Sequence, residues 1–206
     1  MAEQDLTRER TPIVEPAVAD PAPLGLAAFA LTTFLLSLFN AGLLPEAGEP
    51  VVFSLALFYG GLAQFLAGMW EFRNKNTFGA TAFTSYGAFW LAFWGLNQFY
   101  LDRIPEGQRP LVVGWFLIAW GIFTAYMLIA SFRVNPAVML VFLLLTTTFF
   151  VLGIGDLLGN MLVRHIGGYV GLATAIAAWY ASAADVINDT FGQTILPVGE
   201  PIGGGS

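Results

Sequence analysis

The chain has 206 residues, of which 57% are hydrophobic and only 11% charged, with a mean hydropathy of +0.71. Soluble domains carry about a quarter charged residues, so this composition places the chain in lipid. It has no cysteine, which excludes disulfides, thiolate metal sites and cysteine nucleophiles, and its net charge of −6 argues against a nucleic-acid partner.

Residues 1–19 read as a polar, proline-containing tail. The tail is acidic where a signal peptide would be basic and then apolar, so the first span is expected to be retained. Asp20-Pro-Ala-Pro-Leu-Gly-Leu26 opens that span. Pro21 and Pro23 suit a first helical turn, where their missing N–H groups would lack a partner anyway. Asp20 stands where a carboxylate can satisfy orphan amides. Leu24 to Leu44 carries no charge and is long enough to cross a hydrocarbon core. The acidic link Glu46–Pro50 precedes a second span, Val51–Phe72, and Arg73-Asn-Lys75 leads to a third, Phe78–Leu101. The polar loop Asp102–Pro110 leads to a fourth, Leu111–Phe132. The fifth runs from Pro136 to Leu158, the sixth from Ile166 to Ala184 after Arg164-His165, and residues 185–206 read as a polar tail. The expected architecture is an all-α membrane protein with six transmembrane helices over residues 20–184. With both termini cytoplasmic, that side holds Arg8, Arg10, Arg73, Lys75 and Arg133, against Arg103, Arg109 and Arg164 on the other.

Residues three, four, seven and eleven apart share a helical face. Phe29, Thr32, Thr33, Leu36 and Asn40 do so in the first span, and Tyr86, Trp90, Phe93 and Asn97 in the third. Leu145, Thr148, Phe149, Leu152 and Asp156 do so in the fifth. Each face carries a bulky residue and, about 16 Å along the axis, an amide or carboxylate. Odd-numbered spans run the same way, so Phe29, Tyr86 and Leu145 can meet at one depth, with Asn40, Asn97 and Asp156 nearer the far side. That arrangement reads as an apolar constriction opening into a polar vestibule, a way to gate a pore by dewetting. Ordinary helix packing with polar residues near span ends gives the same pattern. Gly60, Gln64, Ala67 and Glu71 share a face of the second span that suits helix packing. Gln64 there either lines the path or bonds a neighbouring helix. Glu71 reads as structural, and Asp156, on the candidate pore face, as functional. His165 is the only histidine, and no nucleophile–base or metal-ligand constellation is present. An enzyme is not expected, nor a metal or cofactor.

Several stretches closely resemble the acetate uptake transporter family, the acetate–succinate transporters. They are Asp20-Pro-Ala-Pro-Leu-Gly-Leu26, Phe58-Tyr-Gly-Gly-Leu-Ala-Gln64, Asn76-Thr-Phe-Gly79, Ala82-Phe-Thr-Ser-Tyr-Gly87 and Leu196-Pro-Val-Gly-Glu200. The family's opening motif usually begins with Asn, where this chain has Asp20, and an Asn commonly follows Ile-Gly in span five, where this chain has Asp156. The resemblance implies an entrance motif at Asp20, Pro21, Pro23, Leu24 and Gly25. It also implies six helices per protomer, a homo-hexamer in the cell membrane with a pathway through each subunit, and a constriction at Phe29, Tyr86 and Leu145. Family members move acetate and, in some cases, succinate, as a channel or with a proton. No Lys or Arg lies in the middle of any span, so a carboxylate at the constriction is expected to lack a fixed counter-charge. Thr32, Thr33, Thr84, Ser85 and Tyr86 are the candidate donors for it, with Gln64, Asn40, Asn97 and Asp156 along the path. Phe29 and Leu145 would hold the methyl group and exclude water. Two rival readings stand beside this one: a channel for a small neutral solute such as urea, and a sensor or scaffold without flux.

Overall fold

The computed structural model describes residues 18–202. Most of the expected 1–19 tail, with Arg8 and Arg10, lies outside the described residues, as does the Gly203-Gly-Gly-Ser206 end. The described chain is helical and contains no strand. Helix α1 is Ala22–Asn40. Helix α2 joins Val51–Leu57, a π-helical turn at Phe58–Ala63, and Gln64–Arg73. Helix α3 is Thr77–Gly95, extended by a π-helical turn at Leu96–Tyr100. Helices α4, α5 and α6 are Arg109–Ser131, Pro136–Leu158 and Met161–Phe191.

Among the described residues, five stretches are long and apolar enough to cross a membrane: Ala22–Asn40, Glu46–Arg73, Glu106–Ser131, Pro136–Leu158 and Met161–Phe191. Helix α3 is not among them, because Gly, Thr, Ser, Tyr and Trp dilute its aliphatic content.

The caps explain where the helices begin and end. Asn76 accepts from the Gly79 amide at 3.0 Å, Asn135 from Val138 at 2.8 Å, and Asn160 from Leu162 and Val163 at 3.0 and 3.2 Å. Each satisfies amides that a helix start leaves unpaired. Gly159 and Gly192 close α5 and α6 in the left-handed conformation, at φ 59° and 65°. Two expected boundaries are corrected here. The first span stops at Asn40 rather than Leu44, because Gly42 turns the chain at φ 70°. The last helix starts at Met161, not Ile166, and continues past Ala184 to Phe191. The chain then returns as an ordered strap. Asn188 Oδ1 accepts from the Ile195 and Leu196 amides at 2.7 and 2.9 Å, its Nδ2 donates to Leu196 O at 2.8 Å, and Tyr180 OH donates to Pro197 O at 2.7 Å. Ala137 N donates to Val198 O at 3.2 Å, which carries the strap onto the start of α5.

The main packed pairs are α1 with α6, α6 with α5, α5 with α4, and α2 with α3. Glycine sets the closest approaches. A Cβ on Gly168 of α6 would lie 2.2 Å from Ala41 N, and one on Gly68 of α2 would lie 2.4 Å from Thr84 N. Helices that touch backbone to backbone in lipid need such positions. Inside the bundle, Phe29, Tyr86, Phe89, Trp90, Phe142, Leu145 and Phe149 belong to one apolar cluster.

Candidate functional site

Phe29 from α1, Tyr86 from α3 and Leu145 from α5 are 5%, 3% and 4% exposed and sit in that single cluster. The Phe29 and Tyr86 rings are 5.9 Å apart between centroids, and Phe123 and Phe142 flank Tyr86 at 5.5 and 6.1 Å. No charged residue belongs to the cluster. The Tyr86 hydroxyl donates to Thr124 Oγ1 at 3.0 Å, and Thr124 donates onward to Trp120 O at 2.7 Å.

A cavity of about 280 Å³ rises from this waist. That is close to the lower bound of about 300 Å³ for small-molecule sites, room for a few heavy atoms rather than a large ligand. Phe29 and Leu145 line its inner end, with Thr33, Leu36, Phe93, Phe149 and Leu152 further along the same helices. Asn40, Asn97 and Asp156 line its mouth, together with Glu49, Arg109 and Arg164. The three faces of α1, α3 and α5 therefore meet around one space that is apolar at one end and polar at the other. Arg164 Nε lies 3.9 Å from Asp156 Oδ1, and its Nη2 donates to Asn40 Oδ1 at 3.4 Å. Arg109 is held by Asp102 Oδ1 at 3.3 Å and Ile104 O at 3.1 Å.

Several expected site residues stand elsewhere. Thr32 is fully buried, donates to Ala28 O at 2.9 Å and lies against Gly60, where a Cβ would be 2.6 Å from its Oγ1. Thr84 packs on Gly68, and neither Thr84 nor Ser85 lines the cavity. Gln64 is 1% exposed and is likewise not part of the lining, and Glu71 is fully buried at the turn from α2 into α3. Tyr86 has already committed its hydroxyl proton to Thr124. Of the expected donors, only Thr33 is among the residues that line the cavity. The reason is the 100° step between successive helical residues, which sends Thr32 towards α2 and Thr33 inward. Thr33 and Trp90 both line the cavity, and their buried Oγ1 and Nε1 have no hydrogen-bond partner among the described residues.

The cluster at the constriction holds no fixed cation, and the two arginines of this space, Arg109 and Arg164, stand at its mouth. Both flank the apolar runs and read as loop charges in the sequence. Asn160, followed by Met-Leu-Val, is the cap signal that would have placed Arg164 inside a helix.

The entrance motif lies at the other end of α1, about 27 Å from Asn40 at 1.5 Å per residue. Asp20 Oδ1 accepts from Ala22 N at 2.9 Å, and Pro23 O accepts from Ser182 Oγ at 2.7 Å. Pro21 and Gly25 are buried, and a Cβ on Gly25 would be 2.6 Å from the Phe83 ring. Asp20, Pro23 and the exposed Leu24 line a separate recess with Asp185, Asn188 and Asp189.

The model of the GPR1/FUN34/yaaH family matches residues 3–200. The chain is 39% identical over 183 residues to the succinate-acetate/proton symporter SatP of Escherichia coli (strain K12), covering 89% of this chain and 96% of that protein. It is 44% identical over 195 residues to acetate permease A of Emericella nidulans, covering 87% of this chain and 65% of that one. A solved structure of the bacterial acetate channel SatP superposes with a TM-score of 0.84 at 38% identity, covering 89% of this chain and all of that one.

Proposed function

We propose, on the premise that this chain belongs to the GPR1/FUN34/yaaH family, that it is a membrane transporter for small carboxylates of the acetate–succinate class. The carrying observation is the shape of the cavity: an apolar floor of Phe29 and Leu145 and a mouth with two arginines. A carboxylate rather than a urea pathway is supported by the relatives named for acetate and succinate, and by the planar donor forks of Arg109 and Arg164, which suit a carboxylate. A carboxylate enters between Arg109 and Arg164 and moves down past Leu36 and Phe149. Near the floor it passes Thr33 and Trp90, whose covered Oγ1 and Nε1 have no hydrogen-bond partner among the described residues and come within its reach on a small side-chain rotation. An unmade hydrogen bond at a buried donor costs about 1–3 kcal/mol, so a passing carboxylate oxygen is welcome there.

The waist then imposes a second condition. Carboxyl groups titrate near pH 4, so at pH 7 about one acid molecule in a thousand is neutral. A bare carboxylate in an apolar constriction costs far more than a neutral acid, so a proton accompanies the substrate through the waist. Membrane passage, not bond-making, is the work these residues are arranged for. Six membrane-spanning helices per protomer, with α3 counted as a span, cytoplasmic termini, a place in the cell membrane and a homo-hexameric assembly complete the proposal. They rest on the family resemblance, and α3 has the length to span, about 36 Å for residues 77–100.

Labelled acetate uptake into liposomes tests the reading. Saturable uptake above that of empty vesicles, faster with an inward proton gradient, with no swelling in urea, is the expected result. Urea swelling without acetate uptake overturns it.

A further inference from the structure

Both contacts of the half-buried Arg164 are stretched. A close charge-assisted pair has N···O near 2.7–2.9 Å. Here the Arg164–Asp156 approach is 3.9 Å and the Arg164–Asn40 bond 3.4 Å. The Arg164 side chain is 36% exposed and that of Asp156 only 15%, so the guanidinium presents an open side to the mouth while the carboxylate is covered. Glu49 acts on Arg164 electrostatically from the α1–α2 link. Arginine carries five N–H donors in a planar fork suited to carboxylate, and two loose partners leave several of them unspent.

We infer that Asp156 is an internal competitor for the substrate carboxylate at Arg164, and that this pair sets the affinity of the vestibule and its preference for singly over doubly charged acids. The inference rests on the carboxylate-transport reading. Arg109 and Arg164 against Glu49 and Asp156 leave the mouth with no net formal charge. A monocarboxylate that takes the Arg164 fork displaces one like-charged group, Asp156, and adds one negative charge. A dicarboxylate adds two to the same space and is repelled by both acidic side chains. Arg164 is thus the recognition residue at the entrance, and Asp156 holds it half-engaged so that the substrate is caught loosely and released inward.

The test is a double-mutant cycle on the full chain in liposomes, reading KM and maximal rate for labelled acetate and succinate. Asp156→Asn is expected to lower the acetate KM about three- to fivefold, the range of a partly exposed ion pair, and to lower the succinate KM by more. Arg164→Gln is expected to raise the acetate KM by a similar factor, and in its background Asp156→Asn changes nothing. Arg164→Lys falls between the two, since it keeps the charge and loses the fork. A gain in affinity cannot come from misfolding. If Asp156→Asn does not fold, Asp156→Ala and the independent KM rise of Arg164→Gln carry the test. Equal shifts from Asp156→Asn with and without Arg164, or no shift at all, overturn the inference while transport by the wild type leaves the functional reading standing. A wild type that moves no acetate overturns both.

Discussion

Replacing Tyr86 by Phe separates packing from chemistry at the waist. The hydroxyl donates to Thr124 Oγ1 at 3.0 Å, and both residues are almost inaccessible, at 3% and 0% exposure. Thr124 spends its own proton on Trp120 O at 2.7 Å, so losing Tyr86 OH leaves Thr124 short of one acceptor contact and no donor. A net hydrogen bond is worth about 0.5–1.5 kcal/mol, which for a chain of this size corresponds to a fall of about 2–4 °C in Tm per kcal/mol. Thr124→Val is the harsher change, because it strands the Tyr86 donor in an apolar cluster at a cost of about 1–3 kcal/mol. The double variant Tyr86→Phe with Thr124→Val removes both partners and should recover much of that loss. Thermal unfolding in detergent, followed by tryptophan fluorescence, gives the four corners of the cycle. Uptake of acetate by Tyr86→Phe should stay within about fivefold of wild type, the most that ~1 kcal/mol of a transition-state effect allows. A Tyr86→Phe protein that melts normally and has lost uptake refutes this reasoning and makes the hydroxyl a substrate ligand.

Three further outcomes follow from the same geometry. Phe29→Ala opens the floor of the cavity and should raise propionate uptake relative to acetate, at a stability cost of up to about 3–5 kcal/mol; unchanged selectivity in a folded variant would remove Phe29 from the waist. Gly168→Ala places a Cβ 2.2 Å from the Ala41 amide and should destabilise by about 1–3 kcal/mol or prevent folding, whereas Gly95→Ala, with nothing within 4 Å, should be neutral or stabilise by about 0.5–1 kcal/mol. Asn188→Ala removes three hydrogen bonds that hold residues 195 and 196, so limited proteolysis should cut the strap after Phe191 while uptake persists.

What was legible in the chain follows from one regularity. Helical periodicity is strong where an element is long and its face uniform, and it placed Phe29, Tyr86 and Leu145 at one level and Asn40, Asn97 and Asp156 at another. It failed at single-residue resolution. Thr32 and Thr33 are chemically identical neighbours, and only the partner helix, through Gly60, decides which one turns away from the cavity. Gln64 was ambiguous for the same reason, since an amide on the α2 face has to meet whatever α1 and α3 bring to it. Periodicity puts Trp90 on the candidate pore face but does not reveal its N–H as an unpaired donor: an indole suits a membrane interface or a core, and nothing local distinguishes a ring that lines a space from one that fills it. Arg164 was hidden by a boundary. Starting the last helix at Ile166 leaves Arg164 in a loop, whereas the Asn160 cap starts it five residues earlier and turns the guanidinium towards Asn40 and Asp156.

That inward turn bears on how such a route can conduct at all. A site that binds an anion tightly does not let it go, and flux needs a sequence of weak holds. Each polar group in this vestibule is already partly engaged: Asn97 donates to Phe93 O at 2.8 Å, Arg109 leans on Asp102 and Ile104, and Arg164 is shared between Asn40 and Asp156. A carboxylate at the mouth therefore competes with protein contacts for part of each group it meets and takes up the Arg164 donors that those contacts leave over, so the net gain is smaller than a free guanidinium would give. The unengaged donors, Thr33 and Trp90, lie deeper, beside the apolar floor. A gradient of hydrogen-bonding satisfaction thus runs down the cavity, from partly engaged groups at the mouth to unpaired ones at the waist. Filling Thr33's role with Val should consequently leave capture at the mouth intact and slow the inward step, lowering the maximal acetate rate with little change in KM; a raised KM at an unchanged rate would place the capture site at Thr33 and reverse the gradient.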